Sequence, residues 1–434
     1  MKESPGDAPR HVRHVRHVIV IGSGIAGTAA GIAAATIAPS VIVLEGGTGA
    51  STLATGAIDH AFWQDHRPAA RVNALSESAK AVLNALSGYV VPATGCAVVT
   101  MAGMVRRADG HDASLLDVAR LNGDPVAVVQ SSRPGWNAGE LAFSWGKGYR
   151  PLETSLLRHT DESLLPDVDL AARHDDANRV GWLAERLREA LARAEARCAG
   201  VVLPPILGLE RACADVLSQR VGLPCGEAVA SPGGPAGLRF ERARDRALSS
   251  AGVAKVAGRA REVEARGEAW RVTTEDGQIL DAYAVVVAIG GLIGGGMAYA
   301  PSEAMLATAL PSHVSPPIRL SLNAPLMLGA RGRPLDTPGS LFGFAPESLA
   351  KPFSRVALVE TVGVLARTDD AGPSGIGSPP GLFAAGDIVA DAPRTWLGAL
   401  AQGAQAGTWA AHVALSRAET ASRATAAPGS AIPL

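Results

Sequence analysis

The run His17 to Ile21 (HVIVI), followed at once by Gly22-Ser23-Gly24-Ile25-Ala26-Gly27, limits what this chain can fold into more than any other feature. A short β-branched run suits a strand buried in a parallel sheet. GxGxxG directly after such a strand is the turn that opens a dinucleotide-binding βαβ unit. Thr28 to Ala38 then predicts a helix of small residues, and Val41 to Leu44 (VIVL) a second buried strand ending at Glu45. In that frame Gly22 permits the tight turn, Gly24 lets backbone approach a pyrophosphate, and Gly27 lets helix and strand pack closely. Ser23, Ile25 and Ala26 complete the cradle. The unpaired N–H groups and dipole of the helix start would hold the phosphates without Lys or Arg. Glu45 can accept hydrogen bonds from an unmodified ribose, which disfavours NADP.

Composition narrows the partners. The 434 residues carry 40 Lys and Arg against 41 Asp and Glu, so no net field draws the chain to nucleic acid or an anionic membrane surface. With 47% hydrophobic residues it can build a large core in two or three domains. Cys96, Cys198, Cys213 and Cys225 form no CxxC pair and have no His at zinc-ligand spacing, so no metal site is expected. So few cysteines fit a reducing compartment. The basic HVRHVRH preceding an uncharged stretch imitates a signal peptide, but the glycine spacing argues against that reading.

Two further segments distinguish FAD from NAD. After Glu45 comes GGTGASTLATGAID (46–59), where Gly46, Ser51, Thr52, Thr55 and Gly56 are the expected contacts. In flavoproteins resembling the fumarate reductase and succinate dehydrogenase group, such a stretch passes along the pyrophosphate and flavin. Far downstream, Gly381 to Asp387 (GLFAAGD) predicts a buried strand ending in Gly386-Asp387. It resembles the carboxy-terminal flavin motif, in which the acid bonds the ribitol. A helix from about Leu397 to Ala414 would aim the N–H groups of Gly398, Ala399 and Leu400 at the N1/O2 edge of the ring. Between these, Gly252 to Val272 reads as two strands and Asp281 to Gly291 as a third that closes on a double glycine. Ala260, Ala288 and Gly290 are its expected contacts. The fold class expected is α/β, a Rossmann-like FAD-binding domain of the glutathione-reductase type with an inserted second α/β lobe.

The order of these segments resembles the B-subunit family of anaerobic glycerol-3-phosphate dehydrogenase. The likeness extends to Pro125–Gly139 (PVAVVQSSRPGWNAG), Arg179–Leu187 (RVGWLAERL) and Val202–Gly208 (VLPPILG), and covers most of residues 17 to 415. It implies a cytoplasmic protein, peripheral at the inner face of the membrane, working with a second flavoprotein subunit and an iron-sulfur subunit. Electrons would pass from glycerol 3-phosphate toward quinone. That family is often described with FMN, yet the adenine-dinucleotide cradle here favours FAD.

The boundaries expected are tails at 1–14 and 419–434 and an FAD-binding domain in three parts, 15–68, 236–297 and 376–418. An α/β lobe (69–235) and a second, substrate-side insertion (298–375) would interrupt it and cover the ring. A dehydrogenase acting on a phosphorylated alcohol needs a base and cations. His60, Arg319 and Arg333 are the catalytic candidates, with His313, Arg331 and Arg355 behind them. A structural role is the simpler reading for any one of these. A flavin-bearing subunit that only relays electrons, or a free-standing FAD dehydrogenase or oxidase for another hydroxy or amino acid, are the alternatives.

Overall fold

The computed structural model describes residues 15–59, 75–121, 123–194, 197–210, 212–291, 294–296, 298–301, 320–328, 333–337, 380–389 and 394–426. The chain opens with β1 (Arg16–Ile21), α1 (Ile25–Ala35), β2 (Val41–Glu45) and β3 (Ala57–Ile58). A long middle segment follows, with α2 (Glu77–Leu86), β4 (Tyr89–Val90), β5 (Cys96–Val99), β6 (Val105–Ala108) and β7 (Gly110–Asp112). It continues through β8 (Val126–Val129), α3 (Ala138–Trp145), β9 (Tyr149–Leu152), α4 (Asp167–Arg173) and α5 (Ala177–Arg193) to β10 (Gly200–Leu203), α6 (Ala214–Val221) and β11 (Cys225–Glu227). Then come α7 (Pro235–Ser250), β12 (Ala254–Ala257), β13 (Ala260–Arg266), β14 (Ala269–Thr274) and β15 (Ile279–Val287). The last described elements are β16 (Ala298–Pro301), β17 (Leu320–Leu328), β18 (Arg333–Thr337), β19 (Leu382–Ala384) and α8 (Trp396–Ala426).

The large sheet is doubly wound around β1. Strands β12, β2, β1, β15 and β19 lie side by side and parallel, with Val18 opposite Val41 and Ala284, and Ile21 opposite Leu44 and Val287. Apolar β-branched residues fill these strands because both faces are covered. Val18, Val20, Val43 and Val286 face α1 and α8, while Ile19, Ile42, Val285 and Val287 face the hairpin of β13 and β14. Helices α1 and α8 approach closely because small residues meet. A β-carbon on Gly403 would lie 2.8 Å from the Ala26 carbonyl carbon, and one on Gly407 would lie 2.7 Å from the Ala30 Cα.

The inserted lobe carries its own all-parallel sheet in the order β11-β10-β8-β9, flanked by α3, α5 and α6. Its helix α5 buries Val180, Leu183, Ala184 and Leu187 on one face, the spacing its sequence predicts. The lobe is docked by buried charge. Arg239 of α7 donates to Asp112 Oδ2 (2.7 Å), Glu227 Oε2 (2.7 Å) and the Gly208 carbonyl (2.8 Å). Leu207 N also donates to Glu227, so the VLPPILG turn is part of this dock.

Three expectations are corrected. Residues 252–272 hold parts of three strands, because Gly258 separates β12, which joins β2, from β13, which turns back with β14. The expected tail from 419 is helical through Ala426, since the stretch is rich in helix-forming Ala, and the Thr420 and Ser422 hydroxyls turn back onto Ser416 O and Ala418 O. Strands β16 to β18, expected with the ring-covering insertion, attach to the edge of the large sheet through β17 and β13.

Candidate functional site

A cleft of about 380 Å³ runs across the carboxyl ends of the parallel strands, where the strand order reverses at β1. This is the position at which doubly wound sheets bind ligands. One end is lined by Leu44, Gly46, Gly47, Gly258, Arg259, Ala260 and Glu275. The middle is lined by Gly22 to Ala26, Gly49 to Ser51, Ala288 and Gly290, and the far end by Ala385, Gly386, Asp387, Arg394, Thr395, Trp396 and Ala399.

The three cradle glycines do different work. Gly22 sits at φ +107°, and a β-carbon there would lie 2.8 Å from the Ala288 carbonyl carbon. One on Gly27 would lie 2.8 Å from the Gly22 carbonyl carbon. Both glycines are therefore required by the fold itself. Gly24 is not. Its backbone is extended (φ −67°, ψ −175°), and a β-carbon would meet only Ser51 Oγ, at 3.4 Å. What the missing side chain leaves open at Gly24 is the cleft.

Of the residues expected from sequence, Gly22, Ser23, Gly24, Ile25, Ala26, Gly46, Ser51, Ala260, Ala288, Gly290, Gly386, Asp387 and Ala399 line the cleft. Ser51 Oγ accepts from Ile25 N at 3.0 Å and so fixes the loop against the start of α1. The Glu45 carboxylate is turned toward α7 and β12. It accepts from Ser23 Oγ (3.1 Å) and pairs with Arg244 (2.8 Å) and Lys255 (3.0 Å). Thr52 bonds to Glu241, Gly56 packs against Ala236 and Asp112, and Leu400 is in the core. No wall contact of the cleft falls to Thr55. His60, Arg319, His313, Arg331 and Arg355 lie outside the described residues, and Arg333 opens β18, in register with Leu328.

The start of α8 differs from the expectation. Asp59 Oδ1 accepts from Trp396 N (2.5 Å), Asp59 Oδ2 from Leu397 N (3.1 Å), and Thr395 Oγ1 from Gly398 N (3.0 Å). Ala399 N closes on the Thr395 carbonyl (2.9 Å). The first turn is thus capped from within, and its N–H groups, those of Gly398 and Ala399 included, are not held for a ring. Burial pushes the Asp59 carboxyl above the usual range, against the pull of the two amides and of Arg106. Asp387 is likewise raised by burial and drawn down by Arg394. The sequence signal for this cap was Thr395, a hydroxyl just before an apolar helical run. Asp59 gave none, being far away in the chain.

Among the described residues no group of His, Cys, Asp and Glu could hold a metal ion, and no helix is long and apolar enough to cross a membrane. No family model matches the chain, and no curated protein does. Solved structures similar to it include a thioredoxin reductase from Streptococcus pyogenes (11% identity, TM-score 0.31, 93% of this chain and 99% of that one). Sdh1 of Mycobacterium smegmatis, solved with UQ1, matches at 13% identity and TM-score 0.32 over 96% of this chain and 73% of that one. A 3-ketosteroid-Δ4-(5α)-dehydrogenase from Rhodococcus jostii matches at 14% and 0.30 over 94% and 99%. Of some longer matches the chain spans about a third. The chain's own geometry is a Rossmann-like α/β fold with an inserted α/β lobe.

Proposed function

We propose that this chain is a flavin-dependent oxidoreductase that holds FAD in the cleft. The observation that carries the reading is Gly24, which lines a cleft reaching from Gly46 and Arg259 to Asp387, and where an added β-carbon would meet only Ser51 Oγ. FMN has no adenosine to fill the Gly46 end. The diphosphate would lie at Gly24 to Ala26 against the start of α1. Asp387, on the turn after β19, would bond the ribitol, and the ring would lie between Gly290 and Trp396. Bound there, the flavin supplies two-electron chemistry. The chain's residues would orient it, and Gly290 and Gly294 to Gly296 line the cleft beyond β15.

The finer reading is the B-subunit role in an anaerobic glycerol-3-phosphate:quinone dehydrogenase complex, with iron-sulfur and second flavoprotein partners. It rests on residues 125–139, 179–187 and 202–208. Candidates for substrate contact are His60, Arg319 and Arg333. A subunit that only relays electrons is the second reading, favoured by the described far end of the cleft, which presents Asp387, Arg394 and Trp396 but no histidine. Purified protein should be yellow, release FAD on denaturation, and bleach when glycerol 3-phosphate is added without oxygen. Colourless folded protein that takes up no FAD sinks the cofactor reading. Bound flavin that bleaches only once a partner subunit is added moves the chain to the relay role.

A further inference from the structure

In a dinucleotide fold an acid near the end of the second strand bonds the ribose hydroxyls. Glu45 holds that place in sequence, yet it does not line the cleft, because Ser23 Oγ, Arg244 and Lys255 hold its carboxylate toward α7 and β12. The carboxylate that lines this end is Glu275. Arg259 precedes β13 and Glu275 follows β14, so the hairpin brings them opposite each other, and the Glu275 amide donates to the Arg259 carbonyl at 2.8 Å. The Arg259 side chain runs between two glycine walls of the cleft. A β-carbon on Gly46 would lie 3.3 Å from its Cγ, and one on Gly295 would lie 3.7 Å from its Nη2. Arg259 Nε and Glu275 Oε1 stand 3.9 Å apart, beyond hydrogen-bond reach, and the two side chains are 56% and 59% exposed. Neither engages the other's hydrogen-bonding groups, so both are open to a ligand.

Resting on the FAD reading, we infer that Glu275 takes the place of Glu45 as the acid that recognises the adenosine half, and that Arg259 covers its base. A dinucleotide with its diphosphate at the start of α1 carries its adenosine toward the end of β2, the end of the cleft where this pair stands. The hydrogen-bond donors of adenosine are hydroxyls and an amine, and a carboxylate accepts from either. Its planar base suits a flat guanidinium. Adenosine recognition thus comes from the β13–β14 hairpin, while the βαβ unit holds the diphosphate.

The test titrates FAD and ADP separately into the full-length chain, as wild type, Glu275→Ala, Arg259→Ala and Glu45→Gln. If wild type takes up no FAD, the cofactor reading fails and takes this inference with it. Glu275→Ala should weaken ADP and FAD alike by about tenfold, the loss of a hydrogen bond to a charged group. Arg259→Ala should weaken both by about threefold, as removal of an exposed cation from the face of a ring does. Both side chains are exposed, so the unliganded variants should melt as wild type does. ADP affinity equal to wild type in Glu275→Ala and Arg259→Ala overturns the inference, as does a wild type that holds FAD but binds no ADP. Loss of FAD affinity with ADP affinity kept also overturns it, since the pair would then serve the flavin half. Loss of ADP affinity in Glu45→Gln with none in Glu275→Ala returns the role to the acid of β2.

Discussion

Replacing Gly24 by Ala tests whether the cleft is a ligand site or a by-product of folding. The backbone at Gly24 is open to any L-residue, and the new methyl would touch only Ser51 Oγ, at 3.4 Å. At a helix N-cap, Ala is worse than Gly by about 0.5–1 kcal/mol, so the protein without flavin should melt within about 2 °C of wild type. Binding should change far more. A methyl pointing into the cleft moves the diphosphate off the amides of α1. Losing one charge-assisted hydrogen bond costs roughly 1.5–3 kcal/mol, which is roughly 10- to 150-fold in affinity. Gly27→Ala is the contrasting variant. Its methyl would lie 2.8 Å from the Gly22 carbonyl carbon, and overpacking of this kind costs about 1–3 kcal/mol of stability whether or not flavin is present. Melting curves of both variants, with FAD titration followed by quenching of its fluorescence, separate the two effects. Wild-type FAD affinity in Gly24→Ala would refute the reasoning, because the N-cap preference alone would then account for the glycine.

Arg239→Met leaves the Asp112 and Glu227 carboxylates buried without their cation, and should cost about 3–5 kcal/mol. Adding Asp112→Asn and Glu227→Gln should recover most of it, and a single variant that melts like wild type would remove the dock. Acid stability should fall in two windows. His174 is fully buried with Nε2 unpartnered among the described residues, and burial brings it down to about 4, so stability drops as pH falls from 6.5 toward 4. Burial alone would raise Glu162, but Arg179, Arg173 and the Arg158 amide hold it at about 2, so its contribution of about 3 kcal/mol is lost as pH falls from 4.5 toward 2. His174→Phe should abolish the first window and Glu162→Gln the second in urea titrations against pH, and unchanged pH dependence refutes either assignment. Burial pushes the Cys96 and Cys225 thiols up to about 12, and Cys213 is enclosed. A thiol reagent should therefore label Cys198 alone in native protein and all four in denaturant, and rapid native labelling of any buried thiol contradicts the packing.

The βαβ unit was legible because its information is contiguous. The strand, glycine turn, helix and second strand sit within residues 16–45, and each residue's task depends on its near neighbours. Strand β19 was legible because its apolar run ends in a paired turn signal, Gly386-Asp387. Sequence spacing missed contacts made only through space. Asp59 and Leu397 are 338 residues apart, Arg239 and Asp112 are 127 apart, and neither charge belongs to a local pattern. Glu45 shows the same limit. Its position at the end of β2 was legible, but the Arg244 and Lys255 side chains that hold its carboxylate come from α7 and β12. Residues 125–139 and 202–208 also gained a physical role, since Arg133 ties Asp167 and the Glu162 carbonyl together, and Leu207 and Gly208 meet the Arg239 dock.

Helix α7 makes lobe and cleft one mechanical unit. Arg239 holds the lobe, while Gly237 lies close beneath the Thr52 carbonyl and Glu241 accepts from Thr52 Oγ1 at 3.1 Å, which fixes the loop that walls the cleft. Further along, Arg244 pairs with Glu45 and donates to Ser23 Oγ (3.2 Å) within the glycine turn. A shift of α7 therefore reaches both the glycine turn and the loop that wall the cleft. In a double-mutant cycle on FAD affinity, Arg239→Met and Arg244→Met should couple by about 0.5–3 kcal/mol if both act through one backbone shift of α7. Additivity within about 0.5 kcal/mol would mean that the lobe only shelters the cleft, and that the buried guanidinium between them serves stability without reaching the cofactor.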